Sequence, residues 1–145
     1  MKSSGFPVHG RCELRPENDI LMVDLYGPWN LECINEARTE AGPLIQQMLK
    51  AGPVGIVVNV HGTLAGTPDA IQSMRDQVEL RKRDAVAAVA WVTDATVEAR
   101  EVFTPVIEKV YDDLRLVRFF DNALAAQSWV GEMIKAARMK QVIGP

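Results

Sequence analysis

Two apolar runs constrain the architecture more than any other feature. Val54 to Val60 is almost continuously apolar, closed by Gly52-Pro53 before it and by His61-Gly62 after it, and Ala85 to Val92 repeats the pattern. Side chains alternate across a strand, so a run without polar alternation needs cover on both faces, the condition of a central strand in a mainly parallel sheet. The segment between the runs supplies such cover. Thr67 as cap, Pro68 at the first helical position and Asp69 in the first turn start a helix that carries Ile71, Met74 and Val78 inward and runs to about Arg83.

The flanking segments extend the pattern. Cys12 and Leu14 alternate with Arg11, Glu13 and Arg15 as a half-buried edge strand does. Pro16 to Asp19 read as a turn, and Ile20 to Tyr26 as a second strand that closes an antiparallel hairpin and ends at Gly27-Pro28. Asn30 caps a first helix whose inner stripe is Leu31, Ile34, Ala37, Ala41, Leu44, Ile45 and Met48; Gly42-Pro43 inside it predicts a kink or a break into two pieces. Asp94 is expected to cap a third helix with Ala99, Val102, Phe103, Val106, Ile107, Val110, Tyr111 and Leu114 inward, interrupted at Pro105. Leu116 to Phe120 forms a last strand. Asp121 is expected to cap a last helix lined by Ala126, Trp129, Val130, Met133, Ile134 and Ala137, frayed beyond Lys140. The order β-β-α-β-α-β-α-β-α describes one α/β layered domain over residues 1–145, core about 10–138, with a mainly parallel sheet, an antiparallel edge and right-handed crossovers.

Composition narrows the function classes. An apolar fraction of 48% against 24% charged residues belongs to a folded globular chain. A net charge of −3 without a dominant basic block leaves no footprint for nucleic acid; Arg81, Lys82 and Arg83 read as charges that complement a helix end. No signal-peptide pattern follows Met1, and no run approaches the roughly 20 apolar residues of a membrane helix. The expectation is a soluble cytoplasmic protein whose membrane contacts, if any, are peripheral. Cys12 and Cys33 lack the spacing of a zinc or redox motif and read as reduced core thiols; no metal and no cofactor fingerprint is present.

Three segments carry a family resemblance: Pro43 within the first helix, Val102-Phe103-Thr104-Pro105-Val106 in the third, and Val117-Arg118-Phe119-Phe120 followed by Ala123, Ala126 and Trp129. Over residues 10–131 the chain resembles the SpoIIAA-like family, which is related to STAS domains. The resemblance implies a small cytoplasmic bacterial protein that is not an enzyme, with a fold shared with anti-sigma-factor antagonists and, more distantly, with CRAL-TRIO lipid-binding domains. Anti-sigma antagonists carry a phosphorylatable serine at the start of the second helix. This chain departs there, reading His61-Gly62-Thr63-Leu64-Ala65-Gly66-Thr67-Pro68-Asp69 without an Asp-Ser pair, which leaves Thr63 and Thr67 as the candidate phosphoacceptors.

Ligands of open α/β sheets gather beyond the carboxyl ends of the strands, here Trp29, His61, Thr63, Thr67 and Thr93. His61 is either an acid or base or a loop histidine without chemistry, and the second reading is preferred because no nucleophile is placed beside it by sequence. Gly62, Gly66 and Thr67 read as turn glycines and a cap rather than as an anion cradle, since no phosphate-loop fingerprint follows. Asp24 near the end of an apolar strand calls for an ion pair, with Arg118 as the expected partner. Phe103, Phe119, Phe120 and Trp129 read as packing before pocket. A groove beside the proline-interrupted helices, lined by Val102, Phe103, Val106 and Ile107, is the expected place for an acyl chain or a partner helix.

The resulting expectation is a non-enzymatic regulatory or ligand-binding module. It takes a lipophilic small molecule or a protein partner and self-associates through a helix face or its edge strand. The alternatives are a domain phospho-switched at Thr63 or Thr67, and a small enzyme using His61.

Overall fold

Arg11–Glu17 (β1) and Ile20–Tyr26 (β2) form an antiparallel hairpin in register from Arg11↔Tyr26 to Glu17↔Ile20. Asn18 makes the turn at φ 57°, a left-handed conformation that asparagine adopts more readily than most residues. The computed structural model describes residues 7–81, 86–111 and 114–143. Val54–His61 (β3), Val86–Val92 (β4) and Val117–Phe120 (β5) join β2 in parallel, giving a five-stranded sheet in the order β1-β2-β3-β4-β5. Each parallel step needs a crossover, and the helices supply them: Leu31–Leu49 (α1), Pro68–Arg81 (α2), Arg100–Glu108 (α3) and, after β5, Ala123–Ile143 (α4).

The two faces of the sheet bury separate cores. Met22, Val57, Ala88, Ala90 and Val92 pack against Ala126, Val130 and Ile134 of α4, which lies over β3, β4 and β5. Gly55 has no side chain because Val130 occupies that space: a Cβ there would stand 2.1 Å from Val130 Cγ1. On the other face Leu25, Val58, Val60 and Trp91 pack with Ile34 of α1, Ala70 of α2 and Ile107 of α3. The alternation along β2 and β3 thus sends both sets of side chains into apolar surroundings, as the unbroken Val54 to Val60 run requires.

Several boundaries differ from the sequence expectation. α1 is one continuous helix through Pro43, and α3 runs through Pro105. The carbonyls that lose a partner are those of Thr39 and Glu101, four residues earlier, and both residues are exposed, so solvent serves them and no break is forced. The third helix starts at Arg100, not after Asp94. Asp94 Oδ1 instead accepts from Thr96 N–H, while Leu64 N–H donates to Glu98 O and Glu98 N–H to Gly62 O, which ties residues 94–98 to the preceding loop. α3 ends at Glu108, so Leu114 belongs to a separate 3-10 turn over Leu114–Leu116. The last helix is capped by Asn122, whose Oδ1 accepts from Ala125 N–H at 2.8 Å, rather than by Asp121, and it continues past Lys140 to Ile143. Lys82, Arg83, Ala85 and the segment before Pro7 lie outside the described residues.

Candidate functional site

At the carboxyl edge of the sheet, Arg11, Tyr26 and His61 occupy adjacent positions on three neighbouring strands. The Arg11 guanidinium stands 4.1 Å from the Tyr26 ring centre, and the Tyr26 and His61 rings stack at 4.4 Å and 14°. Two residues before Tyr26 on β2, Asp24 meets Arg15 at 3.0 Å and His61 Nε2 at 2.8 Å. The expected partner of Asp24 was Arg118, but β5 lies three strands from β2, and the Arg118 guanidinium stands over the Trp129 ring of α4 at 5.0 Å. The polar stack therefore braces the part of the sheet that α4 leaves uncovered.

The other residues expected at this edge also make structural contacts. Trp29 is 1% exposed and packs on Gly66, which it also meets as an isolated bridge. Thr63 Oγ1 donates to Glu98 O and accepts from Ala65 N–H, each at 3.1 Å. Thr67 Oγ1 donates to Asp69 Oδ1 at 2.6 Å, and Thr93 is buried with its carbonyl accepting from Arg100 Nη1. Hydrogen bonds from the Thr96 hydroxyl and N–H hold the Asp94 carboxyl below its ordinary range, with a smaller contribution from Arg100. Among the described residues no cluster of three His, Cys, Asp or Glu side chains is placed to hold a metal ion.

The four residues expected to line one groove do not share a face. Phe103 and Ile107 turn into the core, whereas Val102 and Val106 are 67% and 37% exposed. Helical spacing explains the split, since 103 and 107 lie on one face of α3 and 102 and 106 on the next.

An apolar cavity lies elsewhere, between α1, α2 and the sheet, with a volume of about 210 Å³. Leu14, Leu21, Val58, Met74 and Trp91 form its walls, and Ala37 and Ala41 of α1 form its roof. Those two alanines sit between Ile34 and Ile45 on the inner stripe of α1, so small side chains stand where large ones would have filled the space. They were legible in the sequence as a gap in an otherwise bulky stripe. Three polar side chains join the lining: Arg38, Gln77 and Tyr111. The Tyr111 hydroxyl accepts from Trp91 Nε1 at 3.0 Å, and burial pushes its pKa from 10.0 to about 12 against the opposing effect of that bond. Cys12 also lines the cavity and shares a hydrogen bond with the buried Cys33 thiol. That bond and burial push the Cys12 thiol up, while the same bond holds Cys33 down.

An antiparallel hairpin followed by parallel β-α units in sequential order, with three helices on one face and one on the other, is a SpoIIAA-like α/β fold. The solved structure of an uncharacterised DUF3478-family protein with a SpoIIAA-like fold from Shewanella loihica PV-4 matches it. The TM-score is 0.53 at 17% identity over 89% of this chain and 99% of that one. At that identity the likeness defines the fold and carries no activity with it. No protein-family model matches the sequence, and no curated protein matches it.

Proposed function

We propose that this chain is a non-enzymatic regulatory or ligand-binding module that takes a lipophilic small molecule into the cavity beneath α1 and α2. The cavity itself carries the reading: it is apolar, set in the covered face of the sheet, and roofed by two alanines in place of larger residues. The cavity opens partly to the surface, which gives a guest a way in, and apolar cavities accept apolar guests. The test is extraction of freshly purified protein with organic solvent, followed by mass spectrometry of the extract and a thermal shift of the stripped protein. A co-purified apolar compound that restores the original melting temperature supports the reading. An empty extract, with no melting shift from any of a panel of apolar compounds, removes it.

A second copy of the chain is the protein partner that one observation favours. β1 is an edge strand with Arg11, Glu13, Arg15 and Glu17 along one face. Antiparallel pairing of two such edges about Leu14 sets Arg11 opposite Glu17 and Glu13 opposite Arg15, although Pro16 withholds one donor. Light scattering of wild type, Glu13→Arg and the Glu13→Arg/Arg15→Glu double variant tests it. The single change should yield monomers and the double change should restore the dimer.

A further inference from the structure

We infer that the cavity receives a monocarboxylate with a chain of roughly eight carbons, the carboxylate held between Arg38 and the Gln77 amide; this rests on the cavity reading above. The size follows from comparison, since a cavity of roughly 150 Å³ takes benzene, with its six heavy atoms. The volume here is about 210 Å³, which scales to roughly eight heavy atoms with the head group at the rim.

The polar end follows from two side chains with unmet capacity. Gln77 Nε2 is buried and has no hydrogen-bond partner among the described residues. A buried donor without an acceptor is costly, and an acceptor oxygen brought by a guest relieves it. Arg38 is half-buried, donates to the neutral Asn35 Oδ1 at 3.1 Å and forms no ion pair among the described residues. Its fork of donors matches a carboxylate, and a charge-assisted bond at an apolar rim is stronger than a neutral one.

The topology brings the two side chains to one level. The loops that lead into α1 and α2 meet at the carboxyl end of the sheet, where Trp29 bridges Gly66, so both helices descend from the same edge. At 1.5 Å per residue, Arg38 stands about 10 Å below the start of α1 at Leu31 and Gln77 about 13 Å below the start of α2 at Pro68. Both line the same cavity from neighbouring helices, at nearly the same depth.

Calorimetric titration of protein stripped of bound lipid, with octanoate and 1-octanol as probes, tests the inference. Octanoate should bind about tenfold more tightly than octanol. Arg38→Met, which keeps an apolar stem of similar length, should abolish that preference while leaving octanol affinity within about twofold. Gln77→Leu should weaken octanoate, and Ala41→Leu, which fills the roof, should weaken both probes. Equal affinity for the two probes, or a preference that survives Arg38→Met, overturns the carboxylate assignment while the cavity reading stands. Binding of neither probe, or binding of both that is indifferent to Ala41→Leu, overturns the assignment and counts against the cavity reading as well.

Discussion

Gly66 lies against the face of the Trp29 indole so closely that a Cβ at position 66 would stand 2.5 Å from ring carbons Cη2 and Cζ3. The same two residues pair as a β-bridge, with Trp29 N–H donating to Ala65 O and Thr67 N–H donating to Trp29 O. Neither partner can retreat, because the ring is buried and the backbone is tied on both sides. Gly66→Ala should therefore cost about 2–3 kcal/mol, in the range of an overpacked core. Urea unfolding followed by tryptophan fluorescence checks it. A loss under about 0.5 kcal/mol would show that the contact yields freely.

The Asn30 side chain ties the start of α1 to the segment before β1, beside a backbone bond from Asn30 N–H to His9 O at 3.2 Å. Its Oδ1 accepts from Cys33 N–H as the cap of α1 and from His9 N–H, and its Nδ2 donates to Pro7 O at 2.9 Å. Asn30→Ala removes the cap and leaves the buried Cys33 N–H without its acceptor, whereas Pro7 and His9 are exposed, so a loss of about 1–2 kcal/mol is expected. Asn30→Ser restores an acceptor for Cys33 N–H but does not reach Pro7, and should recover about 1 kcal/mol of that loss. Equal destabilisation by the two changes would mean that the cap itself contributes nothing.

The features legible in the sequence were those set by local chemistry. Unbroken apolar runs marked β3 and β4, alternation marked β1, and Asn30 and Pro68 marked the starts of α1 and α2. What failed was set by contacts distant in sequence. Asp94 has the composition of a helix cap, yet its segment forms a turn closed by Val97 N–H to Asp94 O, and the bonds between Glu98 and the Gly62 and Leu64 backbone keep it out of a helix until Ala99. The strand-end candidates also make contacts that the sequence does not show. Position at a strand end made Trp29, Thr63 and Thr67 candidates; Trp29 is buried against Gly66, Thr63 bonds to Glu98 O, and the exposed Thr67 bonds to Asp69 two residues on. A cavity is an absence of side-chain volume, and only the alanines at 37 and 41 announced it.

That shortfall of volume is testable without any ligand. Ala41→Leu places an isobutyl group into the roof of the cavity, and filling a real void stabilises a protein by about 0.5–2 kcal/mol. Denaturant unfolding of the stripped variant should show a higher midpoint with an unchanged slope. Destabilisation by more than about 1 kcal/mol would mean that the space is already closed by packing.

Tyr111 gives the same region a pH signature. Burial raises its phenol from 10.0 to about 12 in the folded chain, while the unfolded chain keeps the ordinary value. Below pH 10 both states hold the proton and the contribution to stability is fully present; between 10 and about 12 the unfolded chain releases it and the folded chain does not. Stability therefore falls with rising pH across that window. At about 1.4 kcal/mol per unit, reduced because the residue is not wholly shielded, the loss is about 2 kcal/mol. Tyr111→Phe should lack this alkaline loss, yet be less stable by about 1 kcal/mol at neutral pH, because Trp91 Nε1 loses its acceptor. Every other side chain is common to the two proteins, so the difference between the two unfolding curves across the window isolates Tyr111. Curves that stay parallel up to pH 12 would mean that the hydroxyl ionises as freely in the folded chain as in the unfolded one.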